Sequence, residues 1–566
     1  MTRKGVLVGA ATLCLIVAIL VARLAPAAEA WLLALGFAVE GAVLLSIGLL
    51  GLRWPSVASR DRLPLPPPDG EDARRPILWL IAIVGVAAGF RVYGIGSDLW
   101  LDEITTVLDY RNVSPFQILT TYTSSNNHLL NTLMVKAMVS AFGPAEWAVR
   151  FPAVVLGIAG IPAAYALARV ALRSRESLLA ASLLAVSYHH IFFSQNGRGY
   201  SALLFWSTLG TLFFLRGLTR DRVLDWLLYI LSMFLAMATV LYGVFVIAGH
   251  ALAWAVGLVL IRRQGGRGWP LTRRLLLAWS ALGLLSLHLY ASVLTQVNAY
   301  ANTIYRTAAV GYRLLSMEYL QELVRGVAAG FGGTAIAFAL VAAAVGGFGF
   351  LLFARRHFFY AFTLVAPLLA TAGFLFVRGL RFSPRFFLWV LPVAWIFAIG
   401  AAASLAAWLR ARGFFDSSAR PGISRVVVPL AAVLLAAFSL LSLPTYYRVP
   451  KQSNRASLSW MLARRKPGEP IVAAYLAKWG LRFYGPGQGI VEGRAFFAVS
   501  DPAELEKIER DSRGSTIWLL TTFPRALRLE YPELDRYIRE HYREEKRFPA
   551  TIGDGEITVF TREASG

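Results

Sequence analysis

Long apolar runs recur along the first three quarters of this chain, and clusters of arginine separate them. That alternation leaves little freedom. An apolar run of about 17 to 25 residues matches the hydrocarbon thickness of a bilayer as a helix, and a run apolar on every side has no polar face to turn to water. Of 566 residues, 57% are hydrophobic and 16% charged, the balance of a polytopic membrane protein rather than of a soluble chain split into domains. We predict about thirteen spans. They lie near Gly5–Ala22, Trp31–Leu52, Ile77–Phe90, Ala148–Val170, Leu178–Phe193, Ser201–Leu215 and Trp226–Leu241. The others lie near Val244–Ile261, Leu275–Leu294, Val327–Phe353, Phe358–Val377, Phe386–Leu409 and Val426–Leu443. Leu129–Phe142 is apolar but short and carries Lys136, which fits an interfacial helix better than a span.

The net charge of +23 follows from the same pattern. With the N-terminus in the cytoplasm, the basic connections all fall inside: Arg53 to Arg75, Arg173/Arg175, Arg216/Arg220/Arg222, Arg262 to Arg274, Arg355/Arg356 and Arg410 to Arg425. This is the positive-inside distribution, so the charge calls for no nucleic-acid partner. The segment Leu63-Pro64-Leu65-Pro66-Pro67-Pro68 reads as a disordered linker. The start of the chain imitates a signal peptide up to Ala28-Glu29-Ala30, but its apolar stretch is long for that role and another span follows at once; we read an uncleaved first helix. Cys14 is the only cysteine, so there is no disulfide framework.

These signals divide the chain into two leading helices (1–52), a Pro-rich cytoplasmic linker (53–76), a transmembrane core (77–443) with a long first outer loop (94–147), and an outer-face α/β domain (444–566). In that tail the β-like runs Ile471–Tyr475, Thr516–Thr521 and Glu556–Phe560 alternate with helix-like Pro502–Arg510 and Pro532–Tyr542. The expected fold is an all-α polytopic membrane bundle with a small C-terminal soluble α/β domain. The tail and the first long loop stay on the outer side whether or not the first helix is removed.

Three outer segments carry unusual chemistry. The long loop holds Asp102-Glu103, the polar run Thr123-Ser124-Ser125-Asn126-Asn127-His128, and Lys136. A short turn holds Ser194-Gln195-Asn196-Gly197-Arg198-Gly199-Tyr200, and a third segment holds Arg378-Gly379-Leu380-Arg381-Phe382-Ser383-Pro384-Arg385. Carboxylates beside hydrocarbon are costly to desolvate and usually have a task. Such a pair serves as general base on an acceptor hydroxyl or holds a divalent ion. Arginine suits a lipid phosphate through its planar fork, and Arg198, Arg381 and Arg385 run against the topology bias. Each also has a plainer reading. Asp102-Glu103 fits the first turn of a helix, Arg198 a headgroup anchor, and His128 a polar loop residue rather than a ligand.

Trp100-Leu101-Asp102-Glu103 resembles the W-x-D-E signature of membrane glycosyltransferases of the C-type fold, in the group of protein O-mannosyltransferases, aminoarabinose transferases and lipopolysaccharide galacturonosyltransferases. Further matches follow in order: Asn127-His128-Leu129-Leu130 with Phe142-Gly143 (H-P-P-L…F-G), Trp147 to Pro152 (W-x-x-R-x-P), Ser194 to Tyr200 (S-Q-E-x-R-x-Y) and Pro384-Arg385-Phe386 (P-R-Y). Asn196 stands where the family often has glutamate, and Leu129-Leu130 replaces the proline pair.

The resemblance implies an inverting transferase that takes a sugar from a polyprenyl-phosphate donor. Asp102 would be the catalytic base, with Glu103 at the acceptor or a metal. Arg198 and Tyr200, with Arg381 and Arg385, would line the donor phosphate. Asn127, His128 and Lys136 would serve the acceptor or the loop. The resemblance fixes no cofactor, and a divalent ion held by Asp102, Glu103 or His128 is the one candidate. The acceptor is a glycan, lipid or protein at the outer face of the plasma (inner) membrane. Two rivals remain: a flippase for a lipid-linked saccharide, expected to carry ionisable groups at mid-membrane, and a non-catalytic lipid-linked-sugar binding subunit.

Overall fold

The computed structural model describes residues 3–24, 30–50, 57–58, 61–63, 74–122, 124, 126–220, 222–299, 317, 336–378, 384–412 and 423–563. The chain forms two compact units. One comprises Met1–Val92, Ser114–Met134 and Pro152–Ser439; the other comprises Tyr93–Val113, Val135–Phe151 and Leu440–Gly566.

The helices begin with α1 (Arg3–Leu24), α2 (Ala30–Leu50), α3 (Arg74–Val92), α4 (Leu101–Tyr110), α5 (Pro115–Thr120), α6 (Leu129–Phe142) and α7 (Glu146–Ala168). They continue with α8 (Ser174–Val186), α9 (Tyr188–Ser194), α10 (Tyr200–Thr219), α11 (Val223–Thr239), α12 (Gly243–Arg263) and α13 (Trp269–Tyr290). Later helices span Ile336–Val377, broken by non-helical backbone at His357, then Leu391–Ala411 and Ile423–Arg448. Among the described residues, six helices are long and apolar enough to cross a membrane, and the bent pair α8–α9 makes a seventh. The chain is therefore a multi-pass membrane protein. Several other expected spans coincide with shorter apolar helices, such as 76–92 and 223–239, and part of Val327–Phe353 lies outside the described residues.

The bundle core is aliphatic and aromatic, with Trp226, Tyr229, Phe214 and Tyr360 fully buried. Close helix approach depends on glycine at α10: a methyl group on Gly217 would overlap the Trp226 ring of α11. The buried His250 in the bundle is paired on both ring nitrogens. His250 meets the Thr211 hydroxyl at 3.1 Å and the Tyr229 hydroxyl at 3.3 Å, and stacks on Phe214.

One expected span is not straight. The run Leu178–Phe193 breaks at Ser187, and α8 and α9 meet at 57°. The freed carbonyls have a partner. Arg91, fully buried near the end of α3, donates to the carbonyl of Ala185 at 2.9 Å and of Leu184 at 3.4 Å. It also donates to Ala87 O at 2.9 Å and meets His190 Nδ1 at 2.8 Å and Ser194 Oγ at 3.2 Å. A guanidinium thus satisfies backbone that a helix would otherwise pair internally.

In the other unit a five-stranded sheet has the order β2-β1-β3-β5-β4. The strands are β1 (Ile471–Ala474), β2 (Phe496–Val499), β3 (Ile517–Thr522), β4 (Arg543–Phe548) and β5 (Ile557–Arg562). β1 runs parallel to β2 and β3; β5 is antiparallel to β3 and β4. Alternate residues of β1 feed opposite faces, as a pleat requires. Ile471 and Ala473 join Leu458, Met461 and Leu481 on one side, while Val472 and Ala474 join Leu505, Leu534 and Ile538 on the other. The expected strands β1, β3 and β5 and the helices Pro502–Asp511 and Pro532–His541 are present. β2 and β4 were not anticipated: β2 has four residues, and β4 is an edge strand of sequence Arg-Glu-Glu-Lys-Arg-Phe with no apolar alternation. In the same unit Leu99, Ile104 and Val107 pack with Val135, Val139, Val149, Trp479 and Phe483, which seats α4 against α6, the start of α7 and the Ala477–Tyr484 helix.

Candidate active site

The acidic pair opens α4, and its two members differ sharply. Glu103 is fully buried and forms a two-pronged ion pair with Arg150, Nε to Oε1 and Nη2 to Oε2, both 2.8 Å. Its Oε2 also accepts the Trp100 N–H at 3.3 Å. Arg150 has further work: it donates to the carbonyls of Ile95, Ser97 and Asp98 at 2.9, 2.7 and 2.9 Å. Asp102 is half-buried, and its backbone carbonyl accepts the Thr105 and Thr106 hydroxyls at 3.3 and 2.7 Å. Of the two carboxylates, only Asp102 stands partly open.

The chain ahead of the pair is held from several directions. Leu99 N–H donates to the Tyr484 hydroxyl at 2.8 Å, and Leu99 O accepts from Asn454 at 2.9 Å. Leu101 N–H donates to Gln452 Oε1 at 2.6 Å. The Asp98 carboxylate accepts Arg455 N–H at 2.7 Å and its guanidinium at 3.2 Å; burial pushes this carboxyl up, against the pull of Arg455. Close to the ion pair, burial and the Arg150 charge push the Lys451 ammonium down to about 7, with Glu103 opposing. Lys136 donates to Arg111 O at 3.0 Å and so fastens the far end of α4.

The bundle unit assembles a second group. Arg198, buried, donates to Asn126 Oδ1 and lies 3.2 Å from His128 Nε2. His128 Nδ1 receives the Gly199 N–H at 3.0 Å. That N–H can only donate, so Nδ1 accepts and, in a neutral ring, Nε2 carries the proton. The ring N–H and the guanidinium are then two donors side by side, an arrangement an anion relieves. Tyr200 stands edge-on to His128, with 5.3 Å between ring centres. Glycine is required at 199, where a methyl group would overlap Thr239 and press on His128. Asn131 donates to Gly197 O at 2.9 Å, and Gln195 to Arg91 O at 2.9 Å, fixing the turn. Asn127 donates to the carbonyls of Ile118 and Thr121 at 2.9 and 3.0 Å and so pins its loop.

The sequence-predicted residues His128, Arg198 and Tyr200 therefore come together. Arg381 lies outside the described residues, and Arg385 falls in the 3₁₀ turn Pro384–Val390. Arg150, Asn126 and the run 451–455 had no assigned role. Arg150 could have been found by the logic applied to Arg198, an arginine that the sequence reading puts on the outer face, against the topology bias; the tail residues carry no such signal. A divalent ion does not fit: Glu103 is neutralised by Arg150 and His128 faces a guanidinium. Among the described residues no three His, Cys, Asp or Glu side chains gather as a metal site.

Residues 129–305 match the family of dolichyl-phosphate-mannose-protein mannosyltransferases. Among solved structures, ArnT from Cupriavidus metallidurans in the apo state aligns at a TM-score of 0.51 with 16% identity, over 86% of this chain and 98% of that one. The chain has the C-type membrane glycosyltransferase fold. The same ArnT bound to undecaprenyl phosphate aligns at 0.48 with 16% identity, covering 87% and 99%. The oligosaccharyltransferase of Archaeoglobus fulgidus tethered to an acceptor peptide aligns at 0.47 with 14% identity, covering 86% and 74%. No curated protein matches the sequence.

Proposed function

We propose that the protein is an inverting glycosyltransferase that moves a sugar from a polyprenyl-phosphate donor to an acceptor on the non-cytoplasmic face of the plasma (inner) membrane. The observation that carries this reading is the division within the acidic pair: Glu103 is fully buried against Arg150, whereas Asp102 is only half-buried. Asp102 takes the proton of the acceptor hydroxyl as its oxygen bonds to the anomeric carbon. The bond from that carbon to the phosphate oxygen breaks, and the lipid phosphate leaves with the electron pair. Arg198 and the His128 Nε2–H offset the charge of the departing phosphate, with Tyr200 buttressing the imidazole; Arg385, and Arg381 by its motif, add cations to the same task. The matched family, described by a dolichyl-phosphate-mannose donor, supports a lipid-phosphate sugar. Glu103 is the anchor of the helix that bears the base.

The proposed arrangement has about thirteen spans, the N-terminus in the cytoplasm and residues 444–566 as an outer-face domain; the basic connections support it. The acceptor class is a glycolipid, a polysaccharide or a protein. Mass spectrometry of envelope glycolipids and glycoproteins, from cells with the parent or the Asp102→Asn protein at equal membrane levels, tests the reading. A sugar-bearing product should vanish in the variant. Equal product in both would sink it.

A further inference from the structure

The helix that carries Asp102 takes part of its N-terminal cap from far along the chain. α4 has ten residues, short for independent stability in water. Its N-cap position is Trp100, whose indole side chain has no oxygen to cap the first-turn N–H groups. Two of those groups are met from elsewhere. Glu103 reaches back to the Trp100 N–H. The Leu101 N–H is taken by Gln452, 351 residues further along the chain.

We propose that the run Lys451–Arg455 is a positioning strap for Asp102, which makes the C-terminal α/β part a working component of the active site. Gln452 is the central residue of this strap. It is buried, accepts Leu101 N–H at 2.6 Å, and donates from Nε2 to Thr522 Oγ1 at the end of β3, at 3.0 Å. The sheet thus reaches, through one side chain, the residue next to Asp102. Asn454 and Arg455 hold Leu99 O and Asp98 in the same way. The strap is itself anchored from behind. Ser453 Oγ donates to Pro549 O at 2.6 Å, and the N–H of Thr551 and Ile552 bond to the carbonyls of Pro450 and Lys451 at 3.0 and 3.4 Å. Gly480 belongs to the strap too, because a methyl group there would overlap the Asn454 carboxamide. The cavity at this joint is small, about 20 Å³, room for a single water. Gln452 is therefore holding a helix, not a ligand.

This inference rests on Asp102 as the base, and the test separates the two. In cells carrying full-length protein at matched membrane levels, accumulation of the glycosylated product is followed by mass spectrometry for Gln452→Met, Gln452→Glu and Asp102→Asn. Hydrogen exchange over residues 99–106 is measured on the purified proteins. Methionine keeps the volume but removes the acceptor; glutamate restores it, and the Thr522 hydroxyl can turn to donate. The expected result is a loss of about tenfold or more with Gln452→Met, the scale of a small misplacement of a reacting group. Faster exchange in α4 should accompany that loss, and Gln452→Glu should recover most of the product. Gly480→Ala should give the same phenotype from the opposite side of the strap, which covers the case of a poorly folded methionine variant. Parental product from Gln452→Met, or no recovery with Gln452→Glu, overturns the strap. Parental product from Asp102→Asn overturns the reading beneath it.

Discussion

Glu103→Gln and Asp102→Asn are neighbouring, isosteric substitutions with opposite expected consequences. Glu103 and Arg150 are both fully buried and share two 2.8 Å hydrogen bonds. Removing one charge from a buried pair leaves the other uncompensated, at a cost of about 3–5 kcal/mol. At about 2–4 °C per kcal/mol for a unit of this size, the melting temperature should fall by roughly 6–20 °C. The loss extends beyond the pair, because Arg150 also holds the Ile95, Ser97 and Asp98 carbonyls. Asp102 is half-buried, so Asp102→Asn should change stability by only about 0.5 kcal/mol while abolishing transfer. The assay is thermal unfolding of the detergent-purified protein, followed by tryptophan fluorescence, beside product mass spectrometry. The reasoning is refuted if Glu103→Gln melts with the parent and Asp102→Asn continues to make product.

Further tests follow from the same geometry. Arg198→Lys keeps the charge but loses the fork; forfeiting charge-assisted hydrogen bonds worth about 1.5–3 kcal/mol should slow product accumulation roughly 10- to 100-fold, and an unchanged rate would remove Arg198 from the phosphate site. Lys451 gives a pH dependence. Its pKa is about 7 in the folded protein against a reference of 10.5, so between those values the unfolded chain binds the extra proton and stability rises with pH. Melting temperature should climb from pH 7 toward pH 9.5, with Lys451→Met flattening the slope. Gly157→Ala places a methyl group into the Ser194 side chain; overpacking of this kind costs about 1–3 kcal/mol, visible as a lower melting temperature.

The membrane class and the polar turns were legible because their signals are local. Apolar length marks a span, and Arg198 and His128 sit in short motifs that the bundle brings together. The break at Ser187 was not, since the run Leu178–Phe193 reads as a single span by its length and the bend is stabilised by Arg91, 94 residues from Ala185. The roles within Asp102-Glu103 were equally hidden. Two adjacent carboxylates look alike in a sequence, and only the burial of Arg150 against one of them tells them apart. β4 escaped for a related reason: an edge strand owes its place to hydrogen bonds with β5, and its charged side chains leave no pattern.

Arg91 also sets an order of assembly. Its carbonyl partners on α8 are made 94 residues later, roughly 5–20 s at ordinary rates of translation. Until then α3 ends in a cation with no partner from the α8–α9 bend, which favours keeping that end of α3 at the headgroups rather than in hydrocarbon. When α8 and α9 arrive, their bend supplies the oxygens that let the guanidinium be enclosed. The corner is thus a latch that closes only once both partners are synthesised, and a ribosome pause between α3 and α8 should lengthen the time this part of the bundle stays open.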